Sequence, residues 1–162
     1  MTPAAGPIGA IEASGLGQAM RQSLWLYPIV EILHIVGLAL LFGSIVVLDL
    51  RLLGLGRSLS VKGLAAHVLP WTAASFVLIV PSGLAMFVAH ASDFIGNPIF
   101  VLKMGLIFAA GINAAVFHTT AFRHNAGWDA NAATPVPAKV SAALSLLFWI
   151  SAIACGRLLA YT

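Results

Sequence analysis

The stretch LWLYPIVEILHIVGLALLFGSIVVLDLRLL, residues 24–53, decides the fold of this chain. It is apolar almost throughout, and it exceeds the roughly 20 residues that a helix needs to cross the hydrocarbon core of a bilayer. Three later stretches share this character, running from about Leu64 to His90, from about Pro98 to Phe122 and from about Ala138 to Ala160. The sequence therefore predicts four transmembrane helices.

The composition agrees with this prediction. Hydrophobic residues make up 60% of the chain and charged residues only 8%, with a mean hydropathy of +1.01. These values are typical of an integral membrane protein in a lipid bilayer and exclude nucleic acid as an expected partner. Because short polar breaks join the four spans, consecutive helices must be antiparallel neighbours. We expect an all-α, up-down four-helix membrane bundle over residues 24–162, preceded by a flexible segment over 1–23.

The basic residues near the span ends predict the orientation, because cytoplasmic loops are enriched in Lys and Arg. The face reached after the first and third spans carries Arg51, Arg57, Lys62, Arg123 and Lys139, and the other face carries Arg21, Lys103 and Arg157. This split favours both termini outside the cytoplasm, which for a bacterial inner-membrane protein means in the periplasm.

Four histidines fall within the spans, where a polar group is costly unless a partner or a metal satisfies it. His34 and His90 are expected at similar depth near the terminal face, and His67 and His118 near the opposite face. Paired imidazoles from facing helices are what bis-histidine ligation of haem iron requires. His67 and His90 lie 23 residues apart, a long separation for two communicating haems, so one haem b and two haems both remain open.

Cationic side chains lie near both predicted histidine pairs and are candidates for binding haem propionates. Lys103 and Arg157 lie toward the face of His34 and His90, whereas Arg51 and Arg123 lie toward the other. The alternative role for each is an anchor that reaches the lipid headgroups. For Arg51, which lies two residues after Asp49, a structural ion pair or a loop anchor is a further alternative.

A second set of residues suits copper. Glu31 and His34 are spaced i, i+3 on one helix, and Met86 and His90 are spaced i, i+4 on the next. Imidazole nitrogen combined with thioether sulfur favours Cu(I). Copper is therefore an alternative to haem, or a separate site.

Several short motifs connect the chain to known families: LYPIVEILH at residues 26–34, Gly37, Gly43, LDLRLLG at 48–54, Gly156-Arg157 and Ala160-Tyr161. Together they resemble a poorly characterised family of small four-span bacterial membrane proteins. The histidine layout is similar, more loosely, to membrane cytochromes of the b561 type. That second resemblance implies haem b and electron transfer.

The sequence therefore predicts a membrane b-type cytochrome that moves electrons to a periplasmic redox partner or a quinone, as an electron-transfer protein or a membrane oxidoreductase. Homo-oligomers are expected through faces rich in small residues. Two alternatives stand beside it. A copper or proton translocator would use Glu31, His34, Asp49 and Met86, and an assembly or scaffold subunit would use the histidines only as hydrogen-bond partners.

Overall fold

The computed structural model describes residues 6–122 and 128–161, and within these ranges the chain is helical with no strand. Its α-helices in chain order are α1 (Pro7–Glu12), α2 (Gly15–Gln22), α3 (Leu26–Leu53), α4 (Val61–Ala89), α5 (Ala91–Ile95), α6 (Pro98–Thr119) and α7 (Val136–Leu158). A short 3-10 turn, Leu159–Tyr161, continues α7.

The four predicted spans are confirmed as the helices α3, α4, α6 and α7, each long and apolar enough to cross a membrane. Prolines mark two of the starts, because a proline in the first turn of a helix loses no hydrogen bond. Pro98 begins α6 and Pro137 lies in the first turn of α7. Large apolar side chains such as Val77 and Phe108 are more than 70% exposed, as expected of helices that face lipid.

The chain forms two compact units, one from residues 1–41 and 73–98 and the other from 42–72 and 99–162. The first contains α1, α2, α5, the N-terminal half of α3 and the C-terminal half of α4. The second contains the remaining halves of α3 and α4 together with α6 and α7.

In the first unit, α3 and α4 approach each other closely at Gly37. This glycine is buried, and a Cβ atom on it would lie 2.7 Å from Cγ1 of Ile79 and 3.1 Å from Cβ of Leu78. Only a residue without a side chain fits between the helices there. Gly37 therefore fixes how closely α3 packs on α4.

Within the stretch of residues 1–23 that the sequence predicts to be flexible, the structure describes the helices α1 and α2, and residues 1–5 lie outside the described residues. Met20 on α2 is 1% exposed. The Arg21 guanidinium donates to the carbonyl oxygens of Ala89 at 2.8 Å and Glu12 at 2.6 Å. These contacts to the end of α4 come from distant parts of the chain, and local sequence patterns do not report them.

A carboxylate adds a second attachment to this segment. Glu12 Oε1 accepts hydrogen bonds from the hydroxyl of Ser92 at 2.6 Å and from its backbone N–H at 2.8 Å. The Ser92 hydroxyl bond, followed by the backbone bond, holds the pKa of Glu12 below its ordinary value. The ionised form of Glu12 therefore attaches α1 to α5.

The second unit contains the region where all four spans pack together. Its core joins α3 to α4, α6, α7 and the loop before α7 through Leu48, Leu52, Val61, Ala65, Val68, Phe117, Trp128, Ala138 and Ala142. The contribution of α7 to this cluster is alanine, whose small side chain lets the neighbouring helices approach closely. The predicted fold class, an all-α four-helix membrane bundle, is confirmed.

The close approach at Gly37 generates a stability prediction. We expect Gly37→Ala to lower the free energy of unfolding by about 1–3 kcal/mol, because the added methyl group overpacks the contact with Ile79. Reversible unfolding in mixed detergent micelles measures this change.

Gly43→Ala is the matched control on the same helix. Nothing lies within 4 Å of the position that its Cβ would take. This variant should be as stable as the wild type, or more stable by up to about 1 kcal/mol, because alanine favours helix. Equal effects of the two substitutions would contradict the assigned packing.

Candidate functional site

His34 is held between α3 and α4 in the first unit. The imidazole is half-buried, and its Nδ1 atom lies 2.9 Å from Oγ of Ser82. A Cβ atom on Gly83 would lie 3.2 Å from Cε1 of the ring. The small Ser82 and Gly83 therefore make room for the imidazole against α4.

The hydrogen bonds of Ser82 determine which nitrogen of His34 carries the proton. The serine hydroxyl donates toward the carbonyl oxygen of Leu78, one turn earlier on α4, and also lies 3.2 Å from the carbonyl oxygen of Ile79. A hydroxyl has a single hydrogen to donate, so toward His34 it acts as the acceptor. Nδ1 then carries the proton and Nε2 carries the lone pair.

This arrangement has the chemistry of a metal-binding histidine. Such residues bind the metal through one ring nitrogen while the other N–H donates to a nearby oxygen, which fixes the tautomer and the ring orientation. Ser82, buried at 7% exposure, is that oxygen for His34. The arrangement prepares Nε2 to coordinate iron or another metal, or to accept a hydrogen bond.

His90 lies at the end of α4, where it precedes α5. Its ring packs edge to face on Tyr27 at 5.6 Å and on Phe94 at 6.5 Å between centroids. Tyr27 precedes His34 by seven residues and His90 follows Gly83 by seven, which corresponds to about 10 Å along the two helices.

The two rings therefore lie about two turns apart, not at the common depth that the sequence predicted for His34 and His90. Axial nitrogens on one iron stand about 4 Å apart, since each metal–nitrogen bond is about 2 Å long. The contacts do not bring these two histidines together as a pair. Axial ligation by either residue stays a prediction.

The residues predicted for copper show no assembled site. Glu31 is exposed and Met86 is half-buried. Across residues 6–122 and 128–161, no group of three or more His, Cys, Asp or Glu side chains could hold a metal ion. The copper assignment stays a prediction.

The second predicted histidine pair lies in the second unit. His67 on α4 is exposed, whereas His118 on α6 is half-buried and packs edge to face on Phe117 at 5.4 Å and Phe122 at 5.2 Å. No hydrogen bond or ring contact joins the two imidazoles in the described part of the chain. Arg123, the propionate candidate that follows Phe122, lies outside the described residues.

Two other propionate candidates lie on α6 and α7. Lys103 is half-buried, and its Nζ atom lies 3.5 Å from the position that a Cβ on Gly156 would occupy. The exposed Arg157 guanidinium stacks 4.7 Å from the ring centroid of Tyr161 and donates to the Tyr161 hydroxyl. Both cations are partly accessible, and their role toward a propionate stays a prediction.

Arg51 has a different role from the other candidates. Its side chain is 1% exposed, and its guanidinium donates to the carbonyl oxygens of Leu59 at 2.8 Å and Asp129 at 2.7 Å. Weaker bonds reach the carbonyl oxygen of Arg57 at 3.2 Å and the Thr134 hydroxyl at 3.4 Å. These bonds hold the loop after α3 against the loop before α7.

Asp129 completes this attachment through its carboxylate. It accepts from the backbone N–H of Lys62 and from the hydroxyl of Ser60, both at 2.9 Å. These bonds, the backbone bond first, hold the pKa of Asp129 below its ordinary value. Because free N–H groups at a helix start favour an anion, Asp129 stabilises the beginning of α4.

Sequence reasoning identified His34 and missed the residues that act on it. Ser82 carried no signal, because a serine within an apolar helix is commonly a packing residue. The roles of Asp129 and Thr134 were also missed, since both depend on which loops meet. A buried arginine next to a span end was the one available signal. Of the two roles that it predicted, a propionate contact and a loop anchor, the bonds of Arg51 to the loop carbonyl oxygens correspond to the loop anchor.

The loop attachment generates a second stability prediction. Arg51→Met should lower the free energy of unfolding by about 3 kcal/mol, because the carbonyl oxygens of Leu59 and Asp129 lose the buried donor that joins the two loops. Unfolding in mixed detergent micelles provides the measurement. Arg57→Ala, at an exposed side chain, should change stability by no more than about 0.5 kcal/mol, and comparable losses in both variants would refute the role of Arg51.

Comparison with known proteins places the chain among relatives without a described activity. No curated protein and no solved structure matches it. Residues 11–162 match a family of unknown function, DUF6644. This match spans α2 to α7 and so includes all four membrane helices and both units. The chain therefore belongs to the DUF6644 family of unknown function.

Proposed function

We propose that the protein is a membrane b-type cytochrome that transfers electrons through haem, with His34 as an axial ligand of the iron. The observation that supports this proposal most directly is the hydrogen bond of 2.9 Å between His34 Nδ1 and Ser82 Oγ. It places the proton on Nδ1 and the lone pair on Nε2, which is the form that binds iron.

The surroundings of His34 suit a haem electron carrier. The apolar helices α3 and α4 would give a bound haem a low dielectric, which would disfavour the ferric form, with its additional positive charge, relative to the ferrous form and so set the reduction potential. Ser82 would make His34 a better electron donor to the iron through its hydrogen bond. The protein's contribution is ligation and environment, and the redox chemistry is that of the haem.

The proposal includes one haem at His34, and a second at His67 and His118 is its extension. Because His90 lies about two turns from His34, the contacts do not identify a second ligand of the iron. Spectroscopy of the variants identifies it. A low-spin haem spectrum in the wild type that disappears in both His34→Ala and His90→Ala would indicate that both imidazoles bind the iron. A high-spin haem spectrum that disappears only in His34→Ala would indicate that His34 is the single imidazole ligand.

The setting is also part of the proposal. We place the protein in the bacterial inner membrane with both termini in the periplasm, where a redox protein or a quinone would be its partner. Gly105 and Gly111 on α6 are exposed, with nothing within 4 Å of a Cβ at either position. Such open small-residue positions support homo-oligomer formation, since they let helices of another copy approach closely.

The colour of the purified protein tests the haem assignment. We expect wild-type protein, expressed with ample haem and purified in detergent, to show a Soret band and reducible α and β bands. His34→Ala should lose them, whereas Leu33→Ala, at an exposed neighbouring position on α3, should retain them. Ser82→Ala should keep the haem but bind it about 10–100-fold more weakly.

Size-exclusion elution identical to wild type shows that a variant is folded. Colourless, folded wild-type protein would overturn the proposal, as would an unchanged spectrum in His34→Ala. Metal or proton flux in liposomes without visible absorption would instead favour a copper or proton translocator. A colourless protein in which His34→Ala changes only stability would favour a scaffold subunit.

A further inference from the structure

Asp49 is a buried acid within the membrane-spanning helix α3. Its side chain is 6% exposed, and it directly follows Leu48, a member of the apolar core of the second unit, in the chain. One side-chain hydrogen bond reaches it from Ser145 on α7. Among the described residues, nothing donates to its buried Oδ2 atom.

Further polar groups lie close to this position along the same helices of the second unit. Ser141 precedes Ser145 by one turn, so both lie on the same face of α7. Asn113 on α6 donates from Nδ2 to the carbonyl oxygen of Ser141 at 2.9 Å, and its Oδ1 accepts from the Ser141 hydroxyl at 3.1 Å. Asn113 and Ser141 thus hydrogen-bond to each other, whereas Oδ2 of Asp49 has no hydrogen-bond partner among the described residues.

An ionised carboxylate here would be unfavourable. A buried carboxylate without a cation is strongly unfavourable relative to the same group in water, and a buried oxygen without a donor adds to the penalty. Arg51, two residues later, does not offset the charge. Its guanidinium is directed to the carbonyl oxygens of Leu59 and Asp129.

The helices packed around α3 in this unit carry few charges that could act on Asp49. Their titratable groups in the described residues are Lys62 and His67 on α4, Lys103 and His118 on α6, and Lys139, Cys155 and Arg157 on α7. Among the described residues, none of these groups donates a hydrogen bond to the carboxyl group, and its donor is Ser145.

We infer that Asp49 is a proton-binding site, at which the carboxylate takes up one proton on the unpaired oxygen and releases it again. The step forms one O–H bond and needs no other reactant. The bound proton removes the buried charge, while the Ser145 hydroxyl stabilises the ionised form enough for release. This inference does not depend on haem binding at His34.

A hydrophobic carbodiimide tests the site, because it enters the bilayer and reacts with carboxyl groups only when they are protonated. We expect dicyclohexylcarbodiimide to modify Asp49 in detergent-purified protein, as a stable N-acylurea located by mass spectrometry of the peptides. Above its midpoint, labelling should fall about tenfold per pH unit, as for any single acid. Asp49→Asn should not be labelled there.

Two further measurements sharpen the test. Asp129 is the internal control, because its hydrogen-bonded carboxylate stays ionised and should remain unlabelled at neutral pH. Ser145→Ala removes the donor that favours the ionised form, so it should move the midpoint of the Asp49 labelling curve to higher pH by about 0.5–1 unit. A serine that only packs would leave the midpoint unchanged.

The following outcomes would overturn the inference. Folded protein that is never labelled at Asp49 would show a permanently ionised group. Labelling that is independent of pH from 5 to 9 would show an acid that never releases its proton. Protection by Na⁺ at constant pH would show a metal-cation site in place of a proton site. The pH profile of the wild type alone decides between these outcomes if Asp49→Asn does not fold.

Discussion

A polar group surrounded by hydrocarbon or by an apolar core must find its partner within the protein, and this constraint shapes the whole chain. It requires the backbone to be helical through α3, α4, α6 and α7, because no water is available to satisfy N–H and C=O groups. It also requires each buried side chain with a charge or a lone pair to be matched. The matched groups maintain the fold, and the incompletely matched ones are the candidates for function.

Asp49 and Arg51 show the difference over two positions of one helix. Arg51 directs its donors to carbonyl and hydroxyl oxygens of two loops, so its charge is fully used for structure. Asp49 has a donor for one oxygen and none, among the described residues, for the other. Similar burial therefore leads to different roles, which the hydrogen-bond partners of each residue determine.

The sequence predicted the parts of the structure that depend on hydropathy. The spans, their order and the bundle follow from long apolar runs with short polar breaks, and the structure confirms them. The sequence did not predict contacts between residues that are distant in the chain. One example is the hydrogen bond from Arg21 to the carbonyl oxygen of Ala89, which attaches the N-terminal helices to the end of α4. The common depth predicted for His34 and His90 was missed for a related reason. It depends on which residues of α4 lie opposite His34, and the structure places Gly83 there, seven residues before His90. His34 was correctly placed within its helix, but its partner Ser82 had no signature in the sequence.

The same constraint relates the two proposed sites, although they lie in separate units. A low dielectric disfavours the charged forms of both histidine and aspartate. For His34 the neutral ring, with its proton on Nδ1 toward Ser82, is the form that can coordinate iron. For Asp49 the neutral acid is the form that has bound a proton. Both proposals thus use the neutral form of a group in an apolar environment, and each group has one serine as its hydrogen-bond partner. Ser82 accepts from His34, and Ser145 donates to Asp49.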